Sequence, residues 1–191
     1  MGPATAGERV IVALGDSLTA GLGVAPDEAW PALLDVRLRG QAMAYRVINA
    51  GVSGDTSAGG LARLDWVLRS DPEIVIVALG ANDGLRGQSV STMRATLTAI
   101  VERLKTRKVK VLLAGMRMPP NYGAAYTEEF AAAFSEVATR THVPLMPFLL
   151  ADVAGDARLN LADGIHPNAI GHRMIAERVW PYLRPLLTTS R

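Results

Sequence analysis

Ser17, Gly54, Asn82, Asp163 and His166 are the residue types that acyl transfer needs: a nucleophile, two amide donors, a base and a carboxylate to orient it. Ser17 lies in Gly15-Asp16-Ser17-Leu18-Thr19-Ala20-Gly21, between an apolar run and a helical pattern. A phosphate-cradling loop would end in Gly-Lys and Ser or Thr, and none is present. A dinucleotide fingerprint tried from Gly21 and Gly23 fails at Pro26. The Gly-x-Ser-x-Gly elbow fails at Thr19. What remains is a serine on a strand-to-helix turn, its own amide near a helix start.

The other groups fall on other loops. In Gly51-Val52-Ser53-Gly54-Asp55-Thr56-Ser57, Gly54 offers an amide with no side chain in the way, and Thr56 or Ser57 caps the next helix. Taken alone the stretch reads first as a plain glycine turn. Gly80-Ala81-Asn82-Asp83-Gly84 has turn composition and carries the Asn82 amide. Asp163 precedes His166 by three residues, so the carboxylate can accept from one ring nitrogen and leave the other as a base. The plainer alternative is a capping turn, with Asn168 as the cap. A metal reading lacks a third and fourth ligand, so no metal is expected. His142 is expected to end a helix and His172 to lie within one, while Ser70, Ser89 and Ser91 fall at helix boundaries.

Positioning these groups requires a sheet. Arg9–Leu14, Tyr45–Ala50, Ile74–Leu79 and Lys110–Ala114 are β-branched, nearly continuous apolar runs, the pattern of buried parallel strands. Val143–Met146 is a weaker fifth, and its Pro144 suits an edge or a strand start. Helical spacing appears from Val90 to Leu104, at Phe130, Phe134 and Val137, and from Ile170 to Val179; Trp30–Leu38 and Leu61–Leu68 complete five helices. Alternating strands and helices predict a doubly wound α/β domain whose ligands bind beyond the carboxyl ends of the strands. Residues 1–8 are expected to be a disordered or tag-like N-terminus and residues 9–188 a single domain.

Composition limits the partners. In 191 residues with a net charge of +2, the only basic cluster, Lys105 to Lys110, falls where a helix should end, which argues against nucleic acid. The absence of cysteine removes disulfides and thiolate chemistry. No apolar stretch approaches the roughly 18 residues of a membrane span, and the first seven residues lack the features of a signal peptide. Compartment and oligomeric state stay open. A periplasmic or secreted protein is expected if a signal was removed, and a cytoplasmic one otherwise.

"GDSLTAG", "GVSGDTS", "GAND" and "DGIHPN", in that order, resemble the four blocks of the SGNH (GDSL-type) hydrolases, especially small bacterial lysophospholipase/thioesterase I and arylesterase-type enzymes. The resemblance runs from about Val10 into the last helix. It implies a three-layer α/β/α sandwich with a five-stranded parallel sheet in the flavodoxin-like order 2-1-3-4-5. It also implies Ser17 as nucleophile, His166 as general base and then acid, and Asp163 as its orienter. The Ser17 and Gly54 amides and the Asn82 side chain would form the oxyanion hole. Asp16 and Asp83 would support their turns.

The expected activity is therefore hydrolysis of a small-molecule ester, acyl or aryl, extending to thioesters and lysophospholipids, with no cofactor. Leu85, Pro120, Tyr122 and Ile165 are candidate pocket residues. A carbohydrate O-acetylesterase is the alternative within the class. Outside it stand a flavin- or nucleotide-binding module, which the missing phosphate motifs oppose, and a noncatalytic sugar- or lipid-binding protein.

Overall fold

The computed structural model describes residues 7–187. Most of the N-terminal segment expected at 1–8, and the expected boundary at 188, lie outside the described residues. In chain order the elements are β1 (Arg9–Gly15), α1 (Ser17–Ala20), α2 (Trp30–Gly40), β2 (Tyr45–Gly51), α3 (Ser57–Ala62), α4 (Leu64–Leu68), β3 (Ile74–Ala78), α5 (Ala81–Leu85), α6 (Val90–Thr106), β4 (Lys110–Ala114), α7 (Ala124–Thr141), β5 (Leu145–Met146) and α8 (Ala169–Leu183). The strands pair in parallel in the order β2-β1-β3-β4-β5, as expected.

Burial explains the strand sequences. Every residue of β3 is buried, as is all of β1 after Arg9, because helices cover both faces of the sheet. α2 packs on β2 and on α8, while α3, α6 and α7 pack together on the other side. Trp30, Leu34 and Leu38 of α2 and Leu97, Ile100 and Leu104 of α6 are fully buried. Each such side chain contributes roughly 2 kcal/mol of transfer free energy.

Register places the site. Gly15 at the end of β1 pairs with Gly51 of β2 on one side and Ala78 of β3 on the other. Three strands thus end level, and the loops leaving them meet. Gly15 must be glycine here, because a Cβ would lie 2.0 Å from Thr19 Oγ1 and 2.9 Å from the Ala78 carbonyl oxygen.

Several boundaries differ from the sequence pattern. The helix expected over Leu61–Leu68 is two helices broken at Arg63, whose backbone leaves helical geometry (φ −99°, ψ 9°) and whose side chain is held elsewhere. The fifth strand shrinks to two residues, since Pro144 has no N–H for the ladder, although its carbonyl still accepts from Leu113 N–H at 3.0 Å. β1 and β2 each run one residue further, and β3 stops one earlier, at Ala78. The short helices α1 and α5 have no amphipathic pattern to announce them. No helix among the described residues is long and apolar enough to cross a membrane.

Candidate active site

Ser17 opens α1 directly after β1 and is 9% exposed. Asp16 caps this turn, its Oδ1 accepting the Leu18 N–H at 3.0 Å. Ser17 Oγ lies 3.0 Å from His166 Nε2. His166 Nδ1 lies 2.7 Å from Asp163 Oδ2, and Asp163 Oδ1 accepts the Ile165 and His166 N–H groups at 2.9 and 3.0 Å. Those two amides, His166 first, and then the imidazole hold the Asp163 carboxyl down to about 2. At neutral pH Asp163 is an acceptor only, so Nδ1 carries the hydrogen and Nε2 presents its lone pair to the serine hydroxyl.

Asp163 and His166 reach Ser17 from far along the chain, across the segment that follows β5. That segment is fixed by Asn160, 6% exposed, whose amide donates to the carbonyls of Val153 and Asp156 at 2.7 and 2.8 Å. The Leu161 N–H then donates to the His166 carbonyl at 2.7 Å. Asn168 caps α8 by accepting the Ile170 and Gly171 N–H groups. The capping turn and the histidine–carboxylate pair therefore coexist.

The donor loops sit alongside. Gly54 has φ +79°, a conformation that favours glycine, and neither its N–H nor that of Ser17 donates to another group among the described residues. Asn82 Nδ2 donates to the Asp55 carbonyl at 2.9 Å and faces Asp16 Oδ2 at 3.4 Å. Asp83 is buried and accepts from Ser57 twice, at the backbone N–H (2.8 Å) and at Oγ (2.5 Å), which ties the loop after β3 to α3. Thr56 caps α3 through the Gly59 N–H. Asp16 is 1% exposed, and burial raises its carboxyl to about 6 against the opposing Leu18 N–H bond.

A cleft of about 550 Å³ opens on these groups. Ser17, Asn82 and His166 line it together with Leu85, Met116, Met118, Pro120, Phe148, Leu150 and Ile165, which make it largely apolar. Of the candidate pocket residues, Leu85, Pro120 and Ile165 line this cleft. Tyr122 is not among the lining residues: it ends the 3-10 turn Pro120–Tyr122, and its hydroxyl donates to the carbonyl of the lining residue Leu85 at 3.1 Å. Gly54 is also absent from the lining, and its carbonyl is held by Arg86 Nη2 at 2.9 Å.

Sequence reasoning missed Asp55 and Arg63, whose bonds reach Asn82 and Gly15 on other loops, Asn160, whose partners Val153 and Asp156 lie nearby in a segment with no motif, and the walls Met116, Phe148 and Leu150, which show no periodic pattern. His142 ends α7 in left-handed geometry. His172 is buried in α8, where Nδ1 accepts the Trp30 N–H at 3.3 Å and burial lowers its pKa to about 4. No group of three or more His, Cys, Asp or Glu among the described residues could hold a metal ion.

Residues 13–174 match the GDSL-like Lipase/Acylhydrolase family. The chain is 42% identical over 183 residues to "Esterase TesA" of Pseudomonas aeruginosa, covering 95% of this chain and 91% of that one. It is 40% identical over 185 residues to "Thioesterase 1/protease 1/lysophospholipase L1" of Escherichia coli K12, covering 96% and 87%. A crystal structure of TesA superposes with a TM-score of 0.91 at 42% identity, over 94% of this chain and all of that one.

Proposed function

The chain belongs to the GDSL-like lipase/acylhydrolase family and is a carboxylic ester hydrolase, and we propose that it hydrolyses short- to medium-chain acyl or aryl esters through an acyl-serine intermediate on Ser17. The carrying observation is the unbroken contact from Asp163 through His166 to Ser17 Oγ at the edge of an apolar cleft.

The steps follow from these positions. His166 Nε2 takes the Ser17 hydroxyl proton as Oγ bonds to the ester carbonyl carbon, and the resulting imidazolium is stabilised by ionised Asp163. The tetrahedral oxyanion is received by the Ser17 and Gly54 N–H groups and the Asn82 amide. His166 returns the proton to the leaving oxygen as the C–O bond breaks and the alcohol departs. Water then repeats the sequence on the acyl-serine, releasing the acid and restoring the hydroxyl. The reaction calls on no cofactor.

The same steps serve a thioester, with a thiol leaving, and a lysophospholipid, whose acyl chain suits the apolar wall. The thioesterase and lysophospholipase named for the Escherichia coli relative support both extensions. The apolar lining does not favour the acetylated-sugar alternative.

Mass spectrometry after treatment with a fluorophosphonate tests the mechanism. The expected result is a single adduct on Ser17, lost in His166→Ala. An adduct on another serine, or full ester hydrolysis by Ser17→Ala, overturns it.

A further inference from the structure

We infer that Arg63, paired with Asp55, is a positioning residue for the hydrolysis, setting the relative placement of the loops that carry Ser17, Gly54 and Asn82. The inference rests on the oxyanion-hole reading above and extends it to a side chain that touches no substrate.

Arg63 stands where α3 breaks from α4, and its guanidinium bridges two of the three site loops. Nε donates to Asp55 Oδ2 at 2.7 Å, and Nη2 donates to the Gly15 carbonyl at 3.0 Å, in the peptide just before Asp16 and Ser17. The third loop joins through the same aspartate, whose main-chain carbonyl accepts from Asn82 Nδ2 at 2.9 Å. Asp55 directly follows Gly54. One ion pair therefore links the nucleophile's strand end, the residue next to Gly54, and the Asn82 amide.

Burial makes the link stiff. The Arg63 and Asp55 side chains are 19% and 10% exposed, so water screens their attraction far less than at an open surface. The carboxylate is seated against α3 at Gly59, where a Cβ would fall 1.8 Å from Asp55 Oδ1. The guanidinium fork presents two fixed N–H directions to two acceptors on different loops, which a lysine ammonium cannot reproduce. A loss of this fork lets the loop after β2 shift against the end of β1, and Asn82 shifts with its acceptor. Oxyanion donors act only when aimed at the developing charge, so misplacement lowers turnover more than binding.

The test uses Arg63→Met, Arg63→Lys and Asp55→Asn, each measured on the folded fraction with a p-nitrophenyl acyl ester, together with the double variant Arg63→Met/Asn82→Ala. Misplacement on the scale of an ångström is expected to lower kcat by roughly 10-fold to 100-fold in Arg63→Met, with KM within about twofold. Arg63→Lys should recover only part of the loss. Because Arg63 acts partly through Asn82, its substitution should cost at least about threefold less in the Asn82→Ala background than in the wild type. An unchanged kcat in Arg63→Met, a rise confined to KM, or losses that simply multiply in the double variant overturn the inference and leave the oxyanion-hole reading standing. Full turnover by Asn82→Ala removes that reading, and this inference with it. Should Arg63→Met fail to fold, Asp55→Asn and Arg63→Lys decide by the same kcat and KM criteria and the same coupling to Asn82→Ala.

Discussion

Asp16 gives the sharpest test of how this site is held together. Its carboxyl is buried behind the nucleophile and pushed up to about 6 from an ordinary 3.8, mainly by loss of hydration. In the unfolded chain it ionises near 3.8, so between that pH and about 6 the folded state holds the extra proton. Stability from this group is therefore present at low pH and is lost as pH rises through the window. At about 1.4 kcal/mol per pH unit, the ionised Asp16 costs the folded protein about 3 kcal/mol at pH 7. Asp16→Asn removes the ionisation while its amide oxygen can still accept the Leu18 N–H. The variant should match the wild type near pH 4 and exceed it by up to about 3 kcal/mol at pH 7. Urea unfolding of both proteins at pH 4, 5, 6 and 7 measures the difference, in which other titrating groups cancel. A difference that does not change with pH refutes the reasoning. Turnover should fall in the same variant, because an amide N–H would then face Asn82 Nδ2 where Asp16 Oδ2 now lies.

Asn82→Ala should lower kcat by roughly 10²-fold to 10³-fold with little change in thermal stability, read from steady-state kinetics and a melting curve. His172 gives the opposite pH trend from Asp16: burial lowers it to about 4 from 6.5, so its stabilising contribution is lost as pH falls through that interval. The advantage of wild type over His172→Gln in urea unfolding should accordingly shrink between pH 7 and pH 4, and a constant advantage would show that His172 does not titrate on folding. Leu85→Ala should lower kcat/KM for a hexanoyl ester by roughly 3-fold to 10-fold more than for an acetyl ester, since the longer chain loses apolar contact worth about 0.8 kcal/mol per CH₂; equal losses would place the acyl chain elsewhere.

The features legible in the sequence are those whose physics is local. Ile74–Leu79 reads as a strand buried on both faces, which the structure keeps as far as Ala78, and Asp163 lies close enough to His166 for the two to meet within one turn. Ser17 was marked by what its loop lacked as well as by its place after β1. The identities of the loop residues suggested one sheet edge, and the level pairing of Gly15 with Gly51 and Ala78 accounts for the meeting of the first three loops. Arg63 was illegible, since an arginine on an amphipathic helix ordinarily faces water and its acceptors come from two other loops. The break between α3 and α4 was hidden for the same reason: local propensity favours one helix, and the contacts of Arg63 coincide with its interruption. The direction of the Tyr122 hydroxyl was not legible either, because its acceptor, the Leu85 carbonyl, belongs to another loop.

The origin of the cleft walls has an evolutionary consequence. The reacting groups stand on loops leaving β1, β2 and β3 and on the Asp163–His166 turn, where they share space with the walls Leu85 and Ile165, whereas Met116, Met118 and Pro120 follow β4, and Phe148 and Leu150 follow β5. A lineage can therefore exchange residues in the latter two loops and acquire a taste for different acyl groups while its hydrolytic apparatus is inherited unaltered. For a designer, those five positions are the part to randomise.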